Sequence, residues 1–144
     1  MRRRSGLTAE GRLKMNVLEF PKTPHLGAEK KILIVDDVED FRLYLRVKIS
    51  NKFPGVQITE SQSGIMASVE LRKNNFDVVI SDLRMPDGDG VWLHFFMEQY
   101  HAQVPLMFFT SSPESVPKAV NRKIFAKEEV QNLLGELRDQ WTPM

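Results

Sequence analysis

The chain has 144 residues, of which 42% are hydrophobic and 27% are charged, with no cysteine and a formal net charge of +1. This length suits one domain with its own hydrophobic core and is too short for two such domains. The small net charge argues against direct DNA binding. The lack of cysteine excludes disulfides and thiolate chemistry, as expected of a cytoplasmic protein, and no apolar stretch is long enough for membrane insertion.

The charge is unevenly distributed along the chain. Residues 1–31 carry eight Lys or Arg and three acidic residues, whereas residues 32–144 carry twelve and sixteen. Residues 1–29 also mix Arg, Gly, Pro and Thr with isolated apolar residues, a composition typical of flexible segments. We therefore predict a flexible basic leader over residues 1–29 and one folded domain over residues 30–144.

Apolar runs and helical periodicities alternate from Lys31 onward. Continuous β-branched runs are typical of buried parallel strands, and apolar residues at helical spacing, such as Val38, Phe41, Leu45 and Ile49, indicate helices. The predicted strands cover residues 32–35, 56–59, 78–81, 106–109 and 123–126. The predicted helices cover residues 38–53, 64–73, 91–100 and 128–141. This alternation predicts an α/β fold, a doubly wound five-stranded parallel sheet with helices on both faces.

The connection between the fourth and fifth strands is short. Only sixteen residues separate Thr110 from Lys127. Ser112 and Pro113 are a good helix start, but Pro117 blocks continuation because it lacks an N–H and clashes with the preceding turn. We predict that the helix expected here is short or irregular.

Polar side chains follow four of the five predicted strands. Asp36 and Asp37 follow the first, Asp82 the third, Thr110 the fourth and Lys127 the fifth. Because the carboxyl ends of parallel strands meet at one edge, these groups should converge where such folds bind ligands. Three neighbouring carboxylates raise one another's pKa, and a divalent cation would compensate their charge. Mg²⁺ prefers oxygen ligands and often pairs carboxylates with a phosphate, so the pattern predicts a magnesium and phosphoryl site.

This set of residues, with Met85, Pro86 and Gly90 after Asp82, resembles the receiver domain of two-component response regulators over about residues 30–141. The resemblance implies the flavodoxin-like strand order 2-1-3-4-5. The chain ends soon after Trp141, so we expect a single-domain regulator similar to chemotaxis regulators. Such a regulator acts by changing a surface that a downstream protein recognises.

The resemblance also implies a role for each acidic residue. Asp82 would accept a phosphoryl group from a histidine kinase or a histidine phosphotransfer protein. Asp37 and Asp82 would bind Mg²⁺ directly, with the backbone carbonyl of Arg84 as a third protein ligand, and Asp36 would hold a metal-bound water. The chain would not be an enzyme beyond phosphorylating itself from small donors and dephosphorylating itself.

Thr110 and Lys127 complete the implied site. Lys127 would pair with the phosphoryl oxygens, and the Thr110 hydroxyl would donate to one of them, drawing the loop after the fourth strand inward. The chain departs from the family pattern at two positions that bear on the coupling between phosphorylation and this loop. Ile124 stands where the family usually has an aromatic residue, with Phe125 facing the other side of the strand, and Glu128 replaces the usual proline.

Two alternative functions stay open. The short segment before Lys127 and the presence of Ile124 favour a receiver-like interaction module whose phosphorylation switch is uncoupled. A magnesium-dependent phosphohydrolase that passes through an aspartyl phosphate is the other. The enzymes of this kind that the chain resembles most have Asp-x-Asp after the first strand, however, whereas Asp36 and Asp37 are adjacent here.

The third helix has an unusual outer face. Projected at 100° per residue, Leu93 and Met97 point to the sheet, while Trp92, Phe95 and Phe96 fall mostly outside. Clustered exposed aromatic rings are typical of interaction sites. We predict that this face contacts a partner or a second copy of the chain as a homodimer. The alternative is that the leader or a neighbouring loop covers the rings.

Overall fold

The computed structural model describes residues 26–143, so residues 1–25 of the predicted leader lie outside the described part. Strands and helices alternate as the sequence predicts. The strands are β1 (Lys31–Val35), β2 (Gln57–Ser61), β3 (Val78–Ser81), β4 (Leu106–Thr110) and β5 (Lys123–Ala126). The helices are α1 (Glu39–Lys52), α2 (Gly64–Lys73), α3 (Gly90–Tyr100) and α4 (Val130–Trp141). Within residues 26–143, no helix is long and apolar enough to cross a membrane.

The five strands form one parallel sheet in the order β2-β1-β3-β4-β5. This order confirms the predicted doubly wound, flavodoxin-like fold. The register aligns the carboxyl ends of the central strands, because Val35 pairs with both Ser61 and Ser81. On the other side of the sheet, Thr110 pairs with Ala126. The residues that follow the strands therefore emerge at one edge.

Side chains of the sheet alternate between two apolar layers. Ile32 and Ile34 of β1 pack in the layer that contains Leu133 and Leu137 of α4, and Leu45 and Ile49 of α1 lie in the same layer. Leu33 and Val35 face the opposite layer, which contains Leu93 and Met97 of α3. Full burial of one such side chain stabilises the fold by about 1.5–3 kcal/mol. Both faces of β1 are thus covered, as its continuous apolar run predicts.

The first turn of α1 differs from the predicted core pattern. Leu45 and Ile49 are buried, but Val38 and Phe41 remain substantially exposed. These two residues lie nearest the carboxyl edge of the sheet, beyond the end of β1. The helical spacing therefore identified the helix correctly and overestimated how far its buried stripe extends.

The connection between β4 and β5 contains one short 3₁₀ turn, Pro113–Ser115. The prediction of a short or irregular element is confirmed. Val116 and Val120 are buried in the same layer as Leu93, so they anchor the segment without a helix. The side chain of Arg122 adds a hydrogen bond to α3, from Nε to Nδ1 of His94 at 3.0 Å.

The ends of the domain show two local differences from the sequence prediction. Leu26, which was assigned to the leader, is partly buried against the first apolar layer. Gly27 lies so close to Phe53 that an added Cβ would meet the Phe53 Cβ at 2.5 Å. At the other end, α4 begins at Val130 because the Glu129 carboxylate accepts a hydrogen bond from the Ala126 N–H and holds a turn.

Candidate functional site

Backbone hydrogen bonds fix the two central aspartates. The Asp36 N–H donates to the Ser61 carbonyl at 3.1 Å, and the Asp82 N–H donates to the Val35 carbonyl at 2.8 Å. Each bond continues the parallel ladder one residue past the strand. The positions of Asp36 and Asp82 are therefore set by the sheet itself rather than by a loop.

The three predicted acidic residues meet at this edge. Asp36, Asp37 and Asp82 each offer a carboxylate oxygen, and these atoms lie within 4.8 Å of one another. Asp36 is buried, Asp82 is half-buried and Asp37 is exposed, so the cluster opens toward solvent on the Asp37 side. An all-oxygen donor set with an open side suits a hard divalent cation that keeps some of its waters.

Lys127 lies between two of these carboxylates. Its Nζ is 2.7 Å from Oδ2 of Asp36 and 3.3 Å from Oδ2 of Asp82. Only 9% of the Lys127 side chain is exposed, and its Nζ also lies 3.6 Å from the centroid of the Phe41 ring. The Lys127 N–H donates to the Thr110 carbonyl, which ties the end of β5 to the end of β4. One ammonium group therefore compensates part of the charge of three carboxylates.

The charge balance perturbs Asp36. Burial raises the pKa of the Asp36 carboxyl above its usual range, and the nearby charge of Asp82 acts in the same direction. The hydrogen bonds from Lys127 and from the Val38 N–H oppose this rise in pKa without cancelling it. A further cation at the cluster would lower that pKa, because an opposite charge favours the ionised form. The site is thus electrostatically arranged to attract a cation.

Thr110 and Arg84 lie on the side of the site that faces the short connection. Thr110 is buried at the end of β4, and its Oγ1 accepts a hydrogen bond from the Ser112 N–H at 3.1 Å. Arg84 lies two residues after Asp82, and its guanidinium donates to Oγ of Ser115 at 2.9 Å. The loop that carries Asp82 is therefore bonded directly to the 3₁₀ turn.

Arg42 supports the backbone of the site, and the sequence analysis did not identify it. Its Nη1 donates to the Asp36 carbonyl at 2.6 Å, and its Nε donates to Oε1 of Glu60 at 3.0 Å. Arg46 donates to the other oxygen of Glu60 at 2.8 Å. These bonds fasten α1 to β2 and to the backbone of Asp36. The only signal in the sequence was the i, i+4 spacing of the two arginines, which shows a shared helix face but not the strand it meets.

The aromatic residues of α3 lie away from this cluster of charges. Trp92 is 38% exposed and Phe95 is 55% exposed, in agreement with the helical projection. Phe96 is half-buried, because it stacks on Trp92 at 5.5 Å between ring centroids and packs against Tyr100. The guanidinium of Arg72 from α2 lies 5.9 Å from the centroid of the Phe96 ring. The α3 face is therefore partly closed on the α2 side and open at Phe95.

Comparison with known sequences finds similarity to response regulators. A family model described as the response regulator receiver domain matches residues 32–127. The response regulator protein PilR of Pseudomonas aeruginosa is 32% identical over 85 residues, which are 58% of this chain and 18% of PilR. The response regulator receiver protein CpdR of Brucella abortus is 31% identical over 81 residues, 56% of this chain and 66% of CpdR. The chain thus matches less than a fifth of PilR and somewhat under two thirds of CpdR.

Solved structures share the fold. The Francisella response regulator 1452 receiver domain gives a TM-score of 0.68 at 19% identity, covering 78% of this chain and 97% of that one. The response regulator TrrA of Thermotoga maritima, solved in complex with Mg²⁺-BeF, gives 0.67 at 21% identity, with 78% and 99% covered. The match to the family model over residues 32–127 and the agreement in fold lead to one conclusion: the chain belongs to the response regulator receiver domain family.

Proposed function

We propose that this chain is a phosphoacceptor of a two-component relay, in which Asp82 takes a phosphoryl group from a histidine kinase or a histidine phosphotransfer protein. The observation that carries the proposal is the position of Lys127, whose ammonium lies between Asp36 and Asp82 beside a three-carboxylate cluster. A positive group at this place can neutralise charge on a phosphoryl group attached to Asp82. Membership of the receiver family supports the same role.

The two oxygens of Asp82 have different surroundings. Oδ1 accepts a hydrogen bond from the Leu83 N–H at 2.7 Å, whereas Oδ2 faces Lys127 at 3.3 Å. We assign Oδ2 as the nucleophile, because it faces the ammonium group that would neutralise the incoming phosphoryl group. In the proposed transfer it forms the new O–P bond, the N–P bond of the phosphohistidine breaks, and that electron pair returns to the imidazole. Positioning and charge neutralisation supply the catalysis, as in other phosphoryl transfers.

Mg²⁺ is the cofactor that the donor set fits. Asp37 and Asp82 would bind it directly, the backbone carbonyl of Arg84 would be a third ligand, and Asp36 would hold one of its waters. Together with Lys127, it would bring the formal charge of the three carboxylates to zero. When bound, Mg²⁺ supplies compensation for negative charge on the phosphoryl oxygens. The Mg²⁺-BeF complex of the related TrrA supports this assignment.

Phosphorylation would change the conformation of the short connection between β4 and β5. Thr110 would donate its hydroxyl hydrogen to a phosphoryl oxygen, whereas at present its Oγ1 accepts a hydrogen bond from the Ser112 N–H. Arg84, which now bonds Ser115, lies on the loop of Asp82 and would transmit any movement of that loop to the 3₁₀ turn. The proposed result is a changed surface for a downstream protein.

The α3 face is the proposed contact for that protein or for a second copy of the chain. Trp92 and Phe95 expose large apolar areas there, and Phe96 stacks on Trp92. Replacing Trp92 and Phe95 together with serine should weaken self-association or binding to the downstream protein. Unchanged behaviour in both measurements would remove α3 from the proposal.

The acceptor chemistry is tested by intact mass spectrometry after incubation with Mg²⁺ and acetyl phosphate. We expect one labile phosphoryl adduct in the wild type and none in Asp82→Asn, which keeps the shape of the side chain. An adduct that persists in Asp82→Asn would contradict the assignment of Asp82. Multiple turnover on small phosphate esters would indicate a phosphohydrolase instead. An adduct that leaves partner affinity unchanged would indicate an uncoupled interaction module, which the shortened β4–β5 connection favours.

A further inference from the structure

The Phe41 ring lies against the central cation of the site. The Lys127 Nζ is 3.6 Å from the ring centroid, well inside the distance of about 6 Å at which cation–π attraction acts. Phe41 is 38% exposed, whereas the Lys127 side chain is 9% exposed. The ring therefore lies at the boundary of the core, where it covers the ammonium group.

The ring occupies a side of the ammonium that neither carboxylate takes. Lys127 bonds Oδ2 of Asp36 at 2.7 Å and Oδ2 of Asp82 at 3.3 Å, and the ring face is its third neighbour. A ring attracts the cation without offering an oxygen that would compete for its hydrogen bonds. An ammonium held in this way can exchange one oxygen partner for another while it stays in place. The attraction is stronger here than at an open surface because the cation is largely desolvated.

The position of Phe41 is fixed by hydrogen bonds that join Asp36 to the start of α1. Oδ1 of Asp36 accepts a hydrogen bond from the Val38 N–H at 2.9 Å, immediately before α1 begins. Arg42, the next residue after Phe41, donates to the Asp36 carbonyl at 2.6 Å. Both bonds hold the first turn of α1 against the acidic cluster. The ring is thus placed by the site itself.

We propose that Phe41 is a positioning residue that holds Lys127 over the site while the ammonium exchanges the Asp82 carboxylate for phosphoryl oxygens. The proposal rests on the proposed phosphoacceptor function and deepens it. Phe41 contacts no phosphoryl oxygen in this scheme and acts only through Lys127. An aliphatic residue at this exposed position would cover the lysine without attracting its charge.

The test compares Phe41→Leu with Phe41→Trp, because both cover the lysine but only tryptophan presents a ring face. The measured quantity is the rate of adduct formation from acetyl phosphate at saturating Mg²⁺. We expect Phe41→Leu to slow the reaction about fivefold and Phe41→Trp to stay within about twofold of the wild type. The Kd for Mg²⁺ should change less than about twofold in either variant, since the close contact of the ring is with the ammonium. Equal slowing by both variants would mean that only the volume of Phe41 matters.

A second readout is independent of phosphoryl transfer. Protons on the Lys127 Cε should be shifted upfield by the Phe41 ring current in the NMR spectrum, and the shift should vanish in Phe41→Leu. An unshifted Cε signal in the wild type would overturn the contact itself. An adduct that forms at the wild-type rate in Phe41→Leu would overturn the positioning role alone. Failure of the wild type to form any adduct would overturn the phosphoacceptor function and the positioning role with it.

Discussion

The ends of β1 and β3 and the connection between β4 and β5 lie at the same edge of the sheet, but different forces hold them. Asp36 and Asp82 are fixed by backbone hydrogen bonds that extend the ladder to Ser61 and Val35. The connection has one 3₁₀ turn and depends on side chains, with two buried valines in the core and Arg122 bonded to His94. The first region cannot shift without breaking the sheet, whereas the second can rearrange at the cost of a few contacts. The strand ends are therefore the rigid part of this edge, and the connection is the part that can rearrange most easily.

The rigid edge should be most sensitive to substitution at Gly90, which packs against the backbone of Asp82. A Cβ at Gly90 would lie 2.5 Å from the Asp82 carbonyl oxygen and 2.6 Å from Cε1 of Phe108. The Asp82 N–H is bonded to the Val35 carbonyl and the Phe108 ring is fully buried, so neither neighbour can move far. We expect Gly90→Ala to lower the free energy of unfolding by about 2–3 kcal/mol, measured by denaturant unfolding.

Gly135→Ala is the matched control for this substitution. A Cβ at Gly135 in α4 would meet only the end of the Arg138 side chain, at 3.9 Å. Alanine is the better helix former, so the free energy of unfolding should rise by about 0.5–1 kcal/mol. A similar, small effect at both glycines would contradict the rigidity that we assign to the edge.

Removal of the Lys127 charge should have the next largest effect. In Lys127→Met the buried Asp36 loses its cation, and we expect the free energy of unfolding to fall by about 2 kcal/mol at pH 8. The loss should shrink as the pH falls and Asp36 becomes protonated. The pKa of Asp36 is already raised by burial, so the folded state binds this proton more tightly than the unfolded chain. Stability therefore falls as the pH rises through the folded pKa, and it falls further without Lys127.

Unfolding curves at several pH values, with Lys123→Met as control, test this expectation. Lys123 is 61% exposed, and its Nζ is 3.6 Å from a carboxylate oxygen of Glu136. Exposed pairs of this kind contribute little, so the control should change stability by less than about 1 kcal/mol. A pH-independent loss in Lys127→Met would mean that Asp36 is not the group that depends on the lysine.

The β4–β5 connection, which side chains hold in place, is best tested at Arg122. We expect this substitution to have the smallest effect on stability. Arg122→Met removes the hydrogen bond to the buried His94 and should cost about 1 kcal/mol at pH 8. Burial lowers the pKa of His94 and the charge of Arg122 lowers it further, with Glu98 acting in the opposite direction. The unfolded chain then binds the proton more readily, so wild-type stability declines as the pH falls below about 6.5.

The same reasoning predicts how the variants respond to acid. The decline should be shallower in Arg122→Met, because one cause of the lowered pKa of His94 is gone. His94→Gln keeps an acceptor for Arg122 and should remove this part of the pH dependence. A steeper decline in Arg122→Met would contradict the electrostatic account of the connection.

Much of this comparison could be predicted from the sequence, because buried apolar runs show where each strand ends. Asp36, Asp82 and Lys127 follow such runs directly, and parallel strands bring those ends together. The same logic predicted the short element after Thr110, since Pro117 forbids a longer helix. Local rules therefore sufficed for the sheet, for the residues at its edge and for the reduced connection.

Contacts between distant segments could not be predicted in the same way. Leu26 is an isolated apolar residue beside a basic stretch, and its burial depends on packing against a core formed much later in the chain. Arg122 and His94 are 28 residues apart and meet only because the connection folds onto α3. The contact of Phe41 with Lys127 depends on side-chain direction at the end of the sheet, which helical spacing does not specify.

We propose that phosphorylation occurs at the rigid edge and that the β4–β5 connection responds to it. Amide hydrogen exchange before and after treatment with acetyl phosphate and Mg²⁺ tests it most directly, with Asp82→Asn as the baseline. We expect the exchange rates to change over residues 111–122 and to stay the same in β1 and β3, in the wild type alone. An adduct on Asp82 that leaves residues 111–122 unchanged would contradict the claim and leave the chain as an uncoupled module.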